Sequence, residues 1–314
     1  MRSPRPSTVA AILLVAVAVM LAVGAPLMVR TIETQAGTGM TVAVSIGVLG
    51  EIVHRLSDGS IEVQVIIPPD SDPHHWEPTP RDIEKVRRSV LVLIVMKSFD
   101  GRISDLVRAA GSNAKVVEVS SHPRIRTLTS NGALDPHVWL SLRNYAEIVD
   151  VIASELRSAF PDLSERIALR AEKLKDEVLE LYREYSNKFE KHRGKVFVTR
   201  HLAFRYLADD FGLRNLALTG IESEEPTARW LAILREEILR NNVRVIYTEP
   251  VSGHIHDNEQ ASDEMIKRFA EDLGLKVKVL DPLESLSIKD AIRGHGYLVV
   301  MRENLEAVLE GFTP

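Results

Sequence analysis

The chain has 314 residues, a formal net charge of −5 and no cysteine. That length can bury a sizeable core and suits two domains, and the mild acidic balance argues against a nucleic-acid partner, whose proteins carry a basic excess. The missing thiols exclude disulfides, thiolate metal sites and a lipid-modified cysteine anchor.

From the N-terminus, Val9 to Val29 is an uncharged apolar run preceded by Arg2 and Arg5. It is near the length that crosses a bilayer, and the flanking charge keeps its start in the cytoplasm and sends the rest outside. Residues 1–30 therefore read as a signal peptide or an N-terminal membrane anchor. The length of the run favours the anchor over a cleaved signal core. A polar spacer, residues 31–40, follows.

Strands and helices then alternate, which implies a mostly parallel sheet. Thr41 to Ile46, Ile61 to Ile67, Val90 to Met96 and Val116 to Val119 are β-branched apolar runs. After the second of them Pro68 and Pro69 stop the strand, and Asp72-Pro73-His74-His75-Trp76 follows. Pro80 then opens a helix at a position where proline is tolerated. Asp135-Pro136-His137-Val138-Trp139 repeats the order, and these two copies hold two of the three tryptophans. Proline fixes the backbone before the histidine, the aspartate accepts from N–H groups of the turn, and the tryptophan anchors the loop. Such a turn holds one imidazole still, as a metal ligand requires. Two ordinary loop histidines are the alternative, and the duplication argues against it.

Ser141 to Ala159 has a helical apolar stripe, closing a first α/β lobe at 41–161. Residues 162–193 are long and charged, with Leu163, Ile167, Leu174, Val178 and Leu181 at helical spacing. Gly194 closes the far end as a cap would. This predicts one long rigid helix rather than a dimerising coiled coil, whose heptads would be more regular. The alternation resumes over 194–314, a second α/β lobe. Lys195 to Thr199 is a strand, and His201 starts a helix. Val243 to Thr248 and Leu275 to Leu280 are further strands, the last followed at once by Asp281. The expected fold is therefore α/β: two lobes, each a mostly parallel sheet flanked by helices, joined by one long helix.

His74, His137, His201 and Asp281 all sit at loops or element edges, two from each lobe. Ligands of open α/β folds bind at such places. Three imidazoles and a carboxylate suit a borderline divalent ion, zinc before manganese. His75 competes with His74, but Val138 holds the equivalent place in the second copy. Gly253-His254-Ile255-His256-Asp257 reads as a solvated turn rather than an accessory contact.

In these residues the sequence resembles the metal-specific solute-binding proteins of ABC importers, the cluster of zinc and manganese receptors. The resemblance rests on Asp72-Pro73-His74 with Pro78-Thr79-Pro80, on Asp135 to Leu140, and on His201 to Tyr206. Gly220-Ile221 with Glu225-Pro226, Thr248-Glu249-Pro250 and Leu280 to Leu283 complete it. It covers roughly residues 41 to 312. It departs at Lys97-Ser98-Phe99-Asp100-Gly101, where the family often has a glycine-rich segment, and it lacks a long His-rich loop. The resemblance implies a monomeric receptor at the outer face of the cytoplasmic membrane. Such a receptor would be anchored by residues 9–29 or released after cleavage. It would deliver Zn2+, or Mn2+, to an ABC permease and its ATPase. The alternatives are a zinc-dependent hydrolase and an adhesin-like surface protein. Neither His-Glu-x-x-His nor Gly-x-Ser-x-Gly occurs, and the expectation is that the chain is not an enzyme.

Overall fold

The computed structural model describes residues 40–130, 132–222, 224, 226–250 and 257–313. The expected membrane segment, residues 31–39 of the expected spacer, Glu225 of the family motif, and His254 and His256 lie outside the described residues. Among the described residues no helix is long and apolar enough to cross a membrane.

The first sheet contains β1 (Thr41–Val44), β2 (Glu62–Val65), β3 (Leu91–Ile94) and β4 (Lys115–Glu118), in the order β2-β1-β3-β4 and all parallel. Its two central strands are wholly buried, as continuous apolar runs covered by helices on both faces should be. Helices α1 (Gly47–Ser57), α2 (Pro80–Arg87) and α3 (Arg102–Ala109) follow β1, β2 and β3. Pro80 sits at the start of α2 as expected, and the Asp82 carboxylate accepts from the Thr79 backbone at 2.9 Å. A two-stranded hairpin, β5 (Thr129–Ser130) with β6 (Ala133–Leu134), leads to the second Asp-Pro-His turn and to α4 (Leu142–Ala159).

Helix α5 (Ser164–Phe189) has 26 residues, about 39 Å at 1.5 Å per residue. A short 3-10 turn flanks it at each end, and Gly194 beyond has φ +79°, the left-handed conformation expected of a terminating glycine. Ile167, Ala171, Leu174, Val178, Leu181, Tyr185 and Phe189 form its buried stripe. The stripe packs on α1, α4 and the C-terminal helix, so the seam is satisfied within the chain.

The second sheet contains β7 (Val196–Thr199), β8 (Arg214–Ala217), β9 (Val245–Thr248) and β10 (Lys276–Val279), again all parallel, in the order β10-β9-β7-β8. Read in chain order this is the same arrangement as the first sheet. The connection from β7 to β8 goes one way and the path on to β9 goes the other, so the β7–β9 gap is the switch point at which doubly wound sheets bind ligands. Helices α6 (Arg205–Asp210), α7 (Ala228–Arg240), α8 (Asp257–Leu273), α9 (Ile288–Ile292) and α10 (Tyr297–Gly311) complete the chain. After β10 the backbone crosses back to the first lobe. There α9 packs on α1, and Tyr297 stacks on Tyr145 with ring centroids 3.5 Å apart.

Candidate metal centre

His74 and His137 sit on the two Asp-Pro turns, and the turns form as the sequence suggests. Asp72 accepts from the His74 backbone N–H at 2.9 Å, and Asp135 from that of His137 at 3.1 Å. Trp139 is buried and also donates its indole N–H to the Pro282 carbonyl at 2.8 Å, so it ties the turn to the segment after β10. His201 follows β7 at the switch point, and Glu249 follows β9 beside it.

The three imidazoles meet. Nε2 of His137 and Nε2 of His201 are 3.3 Å apart. Oε1 of Glu284 lies 2.9 Å from Nε2 of His137 and 3.3 Å from those of His74 and His201. One donor atom from each of these four residues lies within 4.8 Å of the other three. A tetrahedral zinc with ligands at about 2.0–2.1 Å has ligand–ligand edges of roughly 3.3–3.4 Å. Four of the six separations are within about 0.5 Å of those edges and all lie within 4.8 Å, so the four residues can hold such an ion after adjustment.

Each imidazole is oriented from its far side by a carboxylate. Nδ1 of His137 is 2.8 Å from Asp135, Nδ1 of His201 is 2.6 Å from Glu249, and Nδ1 of His74 is 3.1 Å from Glu222. A carboxylate only accepts, so Nδ1 carries the proton in each case and Nε2 is turned inward, the arrangement that strengthens a metal-bound histidine. Arg200 and Arg205 in turn contact Glu249 and Asp135, at 3.0 and 3.4 Å. Phe99, from the segment that departs from the family pattern, stands edge-on to His74 at 5.0 Å and walls that side of the centre.

The centre calls for positive charge. Burial opposes protonation of His74, yet Glu284, Glu222 and Asp72 outweigh it and push its pKa up to about 10. Burial likewise opposes protonation of His201, but Glu249 and Glu284 push it up to about 9. Burial would raise Glu284, and the attraction of His201, His74 and His137 holds it well below the usual carboxylate range instead. Protons and a divalent cation therefore compete for the same place.

Asp281 is not in the group. Its carboxylate accepts from the Leu283 backbone N–H at 2.7 Å, and burial raises its pKa. It builds the turn, and Glu284, three residues on, reaches the imidazoles in its stead. His75 points away: its ring is 68% exposed and pairs with Asp72 at 2.7 Å. His201 does not begin a helix, since α6 starts at Arg205. The Glu249 carboxylate accepts from the His201 N–H and the Thr199 hydroxyl donates to the His201 carbonyl, so side chains fix this backbone in a turn that precedes the helix. A separate cavity of about 570 Å³, lined by Arg193, Lys195, Arg244 and Phe312 among others, lies at the N-terminal ends of β7 and β9, away from the histidines.

A family model described as zinc-uptake complex component A, periplasmic, matches residues 42–311. The zinc-binding protein AdcA of Streptococcus pyogenes is 30% identical over 271 residues, covering 79% of this chain and 51% of that protein. The chain thus spans about half the length of the streptococcal relatives it matches. The high-affinity zinc uptake system protein ZnuA of Bacillus subtilis is 28% identical over 262 residues, 79% of either chain. Among solved structures, the laminin-binding protein Lmb of Streptococcus agalactiae superposes with a TM-score of 0.75 at 29% identity. That match covers 87% of this chain and 99% of the other, which is described as a bifunctional protein with adhesin and metal transporting activity.

Proposed function

Because the chain belongs to the family of periplasmic zinc-uptake complex components, we propose that it captures one divalent ion, zinc in preference to manganese, between His74, His137, His201 and Glu284. It then passes the ion to an ABC permease driven by its ATPase. The observation that carries this reading is the convergence of three Nε2 atoms on one carboxylate oxygen at 2.9–3.3 Å, each imidazole backed by a carboxylate. Three nitrogens favour zinc, whereas manganese prefers more oxygen. Four protein donors complete a tetrahedron, which supports a carrier over a hydrolase, because a catalytic zinc keeps a position for water.

The relatives' descriptions support an extracytoplasmic location for the capture site, with residues 9–29 as anchor or signal. The working unit is a monomer whose lobes, 41–161 and 194–314, meet across the centre and are joined by 162–193. Calorimetry on metal-free protein tests the reading. One tight zinc per chain is expected, with the affinity lost in His137→Ala. Two equally tight sites, or wild-type affinity in that variant, overturn it.

A further inference from the structure

The three carboxylates behind the imidazoles differ in where they come from. Asp135 lies two residues from His137, on the same turn. Glu249 follows β9, which pairs through Ile246 and Tyr247 with the β7 strand that leads to His201. Both pairs therefore lie within a single lobe. Glu222 is different: it follows β8 of the second sheet, while His74 follows β2 of the first. Its loop is fastened to the turn that carries His201, through Leu202 N–H to the Gly220 carbonyl at 3.2 Å and Thr219 N–H to the Arg200 carbonyl at 2.9 Å. His74 is fastened to the other lobe, through Asp72 and the ring of Phe99.

Exposure separates the three as well. The side chains of Asp135 and Glu249 are 0% and 8% exposed, and that of Glu222 is 45%. The lobes also touch at a buried point, where Ser141 donates to the Asp210 carboxylate at 2.9 Å and Arg143 reaches the same group. Of these contacts between the lobes, the Glu222–His74 pair is the exposed one and the Asp210 contact is buried.

We infer that Glu222 is a positioning residue that makes the metal affinity of His74 depend on the two lobes being together. With the lobes in contact, Glu222 accepts from Nδ1 and strengthens Nε2 as a donor to the ion. When they part, His137 and His201 keep their carboxylates and His74 loses its own. His74 is then the first donor to weaken, and release to the permease starts there. The inference rests on the proposed metal site.

The test is zinc release into excess chelator, followed by stopped flow, in wild type, Glu222→Ala, Glu222→Gln, His74→Ala and the double variant His74→Ala with Glu222→Ala. Loss of such a partner typically costs ~10–100-fold in affinity. Glu222→Ala is expected to lose that much, mostly as faster release, with one site per chain retained. Glu222→Gln should fall between, because its amide oxygen still accepts from Nδ1. In the His74→Ala background Glu222→Ala should change nothing further, which a general loosening of the loop would not reproduce. Less than a twofold effect of Glu222→Ala, or an equal effect with and without His74, overturns the inference. Wild-type affinity in His74→Ala would instead overturn the metal site itself, so the two failures are distinguishable.

Discussion

Zinc binding should release about two protons at pH 8, where three ordinary imidazoles would release roughly a tenth of one. The difference comes from the raised pKa values of His74 and His201, about 10 and about 9. Both groups hold a proton in the metal-free protein at that pH, and both must give it up to coordinate. Two released protons make the affinity climb about a hundredfold per pH unit, or ~2.7 kcal/mol, from neutrality up to the lower of the two pKa values. The ordinary imidazole pKa near 6.5 would place the whole rise below neutrality. The sign is opposite for the stability of the metal-free protein. A histidine whose folded pKa is raised adds stability that is complete below its unfolded value, near ~6.5, and is lost as pH rises through the folded pKa. Metal-free protein should thus melt progressively lower from about pH 7 to 10, while the gain in melting temperature on adding zinc grows. Calorimetric titration at pH 8 in two buffers of different ionisation enthalpy gives the proton count directly. A count below one, or an affinity flat between pH 7 and 8.5, would refute the electrostatic account of the centre.

Five substitutions probe the donor set and one the frame. Glu284→Gln should weaken zinc by more than ~100-fold, beyond what loss of an outer carboxylate costs. Asp281→Asn keeps an acceptor for the Leu283 N–H and should weaken zinc less than ~10-fold, both read by competition with a chelating dye. His74→Ala should lose tight binding, whereas His75→Ala, which removes only a surface pair with Asp72, should change the affinity by less than ~fivefold. His201→Glu should shift competitive binding from zinc towards manganese. It also brings a third carboxylate against Glu249 and Glu284, so the metal-free protein should melt roughly 5 °C lower or more by calorimetry. Leu174→Ala in the buried stripe of α5 should cost ~2–5 kcal/mol in denaturant unfolding while leaving one zinc per chain.

Much of the frame could be read from local pattern because the central strands are buried on both faces. Thr41 to Ile46 and Val90 to Met96 announce themselves as β-branched runs, and the stripe of α5 announces its period. Strand β8 carries no such signal. Arg214-Asn215-Leu216-Ala217 contains no β-branched residue, and it lies at the sheet edge, paired on one side only, where less burial is demanded of it. The return of the chain to the first lobe also has no local signature. It depends on close approaches between distant residues. A Cβ on Gly50 would come within 2.5 Å of the Ile288 side chain, and one on Gly296 within 2.5 Å of the Glu51 carboxylate.

The centre was legible as far as the duplicated turn reached. That turn names His74 and His137, and His201 follows from its place beyond a strand end at the switch point. The fourth member shows what a motif means when its mechanics are followed. Asp72 and Asp135 each use a carboxylate to take the N–H two residues on, and Asp281-Pro282-Leu283 does the same at 2.7 Å. It is a third Asp-Pro turn, and in all three the aspartate is occupied in building the turn. Asp281 therefore belongs with Asp72 and Asp135 as a turn former, and the residue the turn presents must be sought downstream of it. In the first two copies that residue is the one whose N–H is captured. In the third, Leu283 takes a left-handed φ of 62° and is buried, which carries the presented position one residue further, to Glu284. The parallel among the three turns was present in the sequence. The left-handed leucine that shifts the register was not, because leucine rarely adopts that conformation without tertiary contacts to hold it.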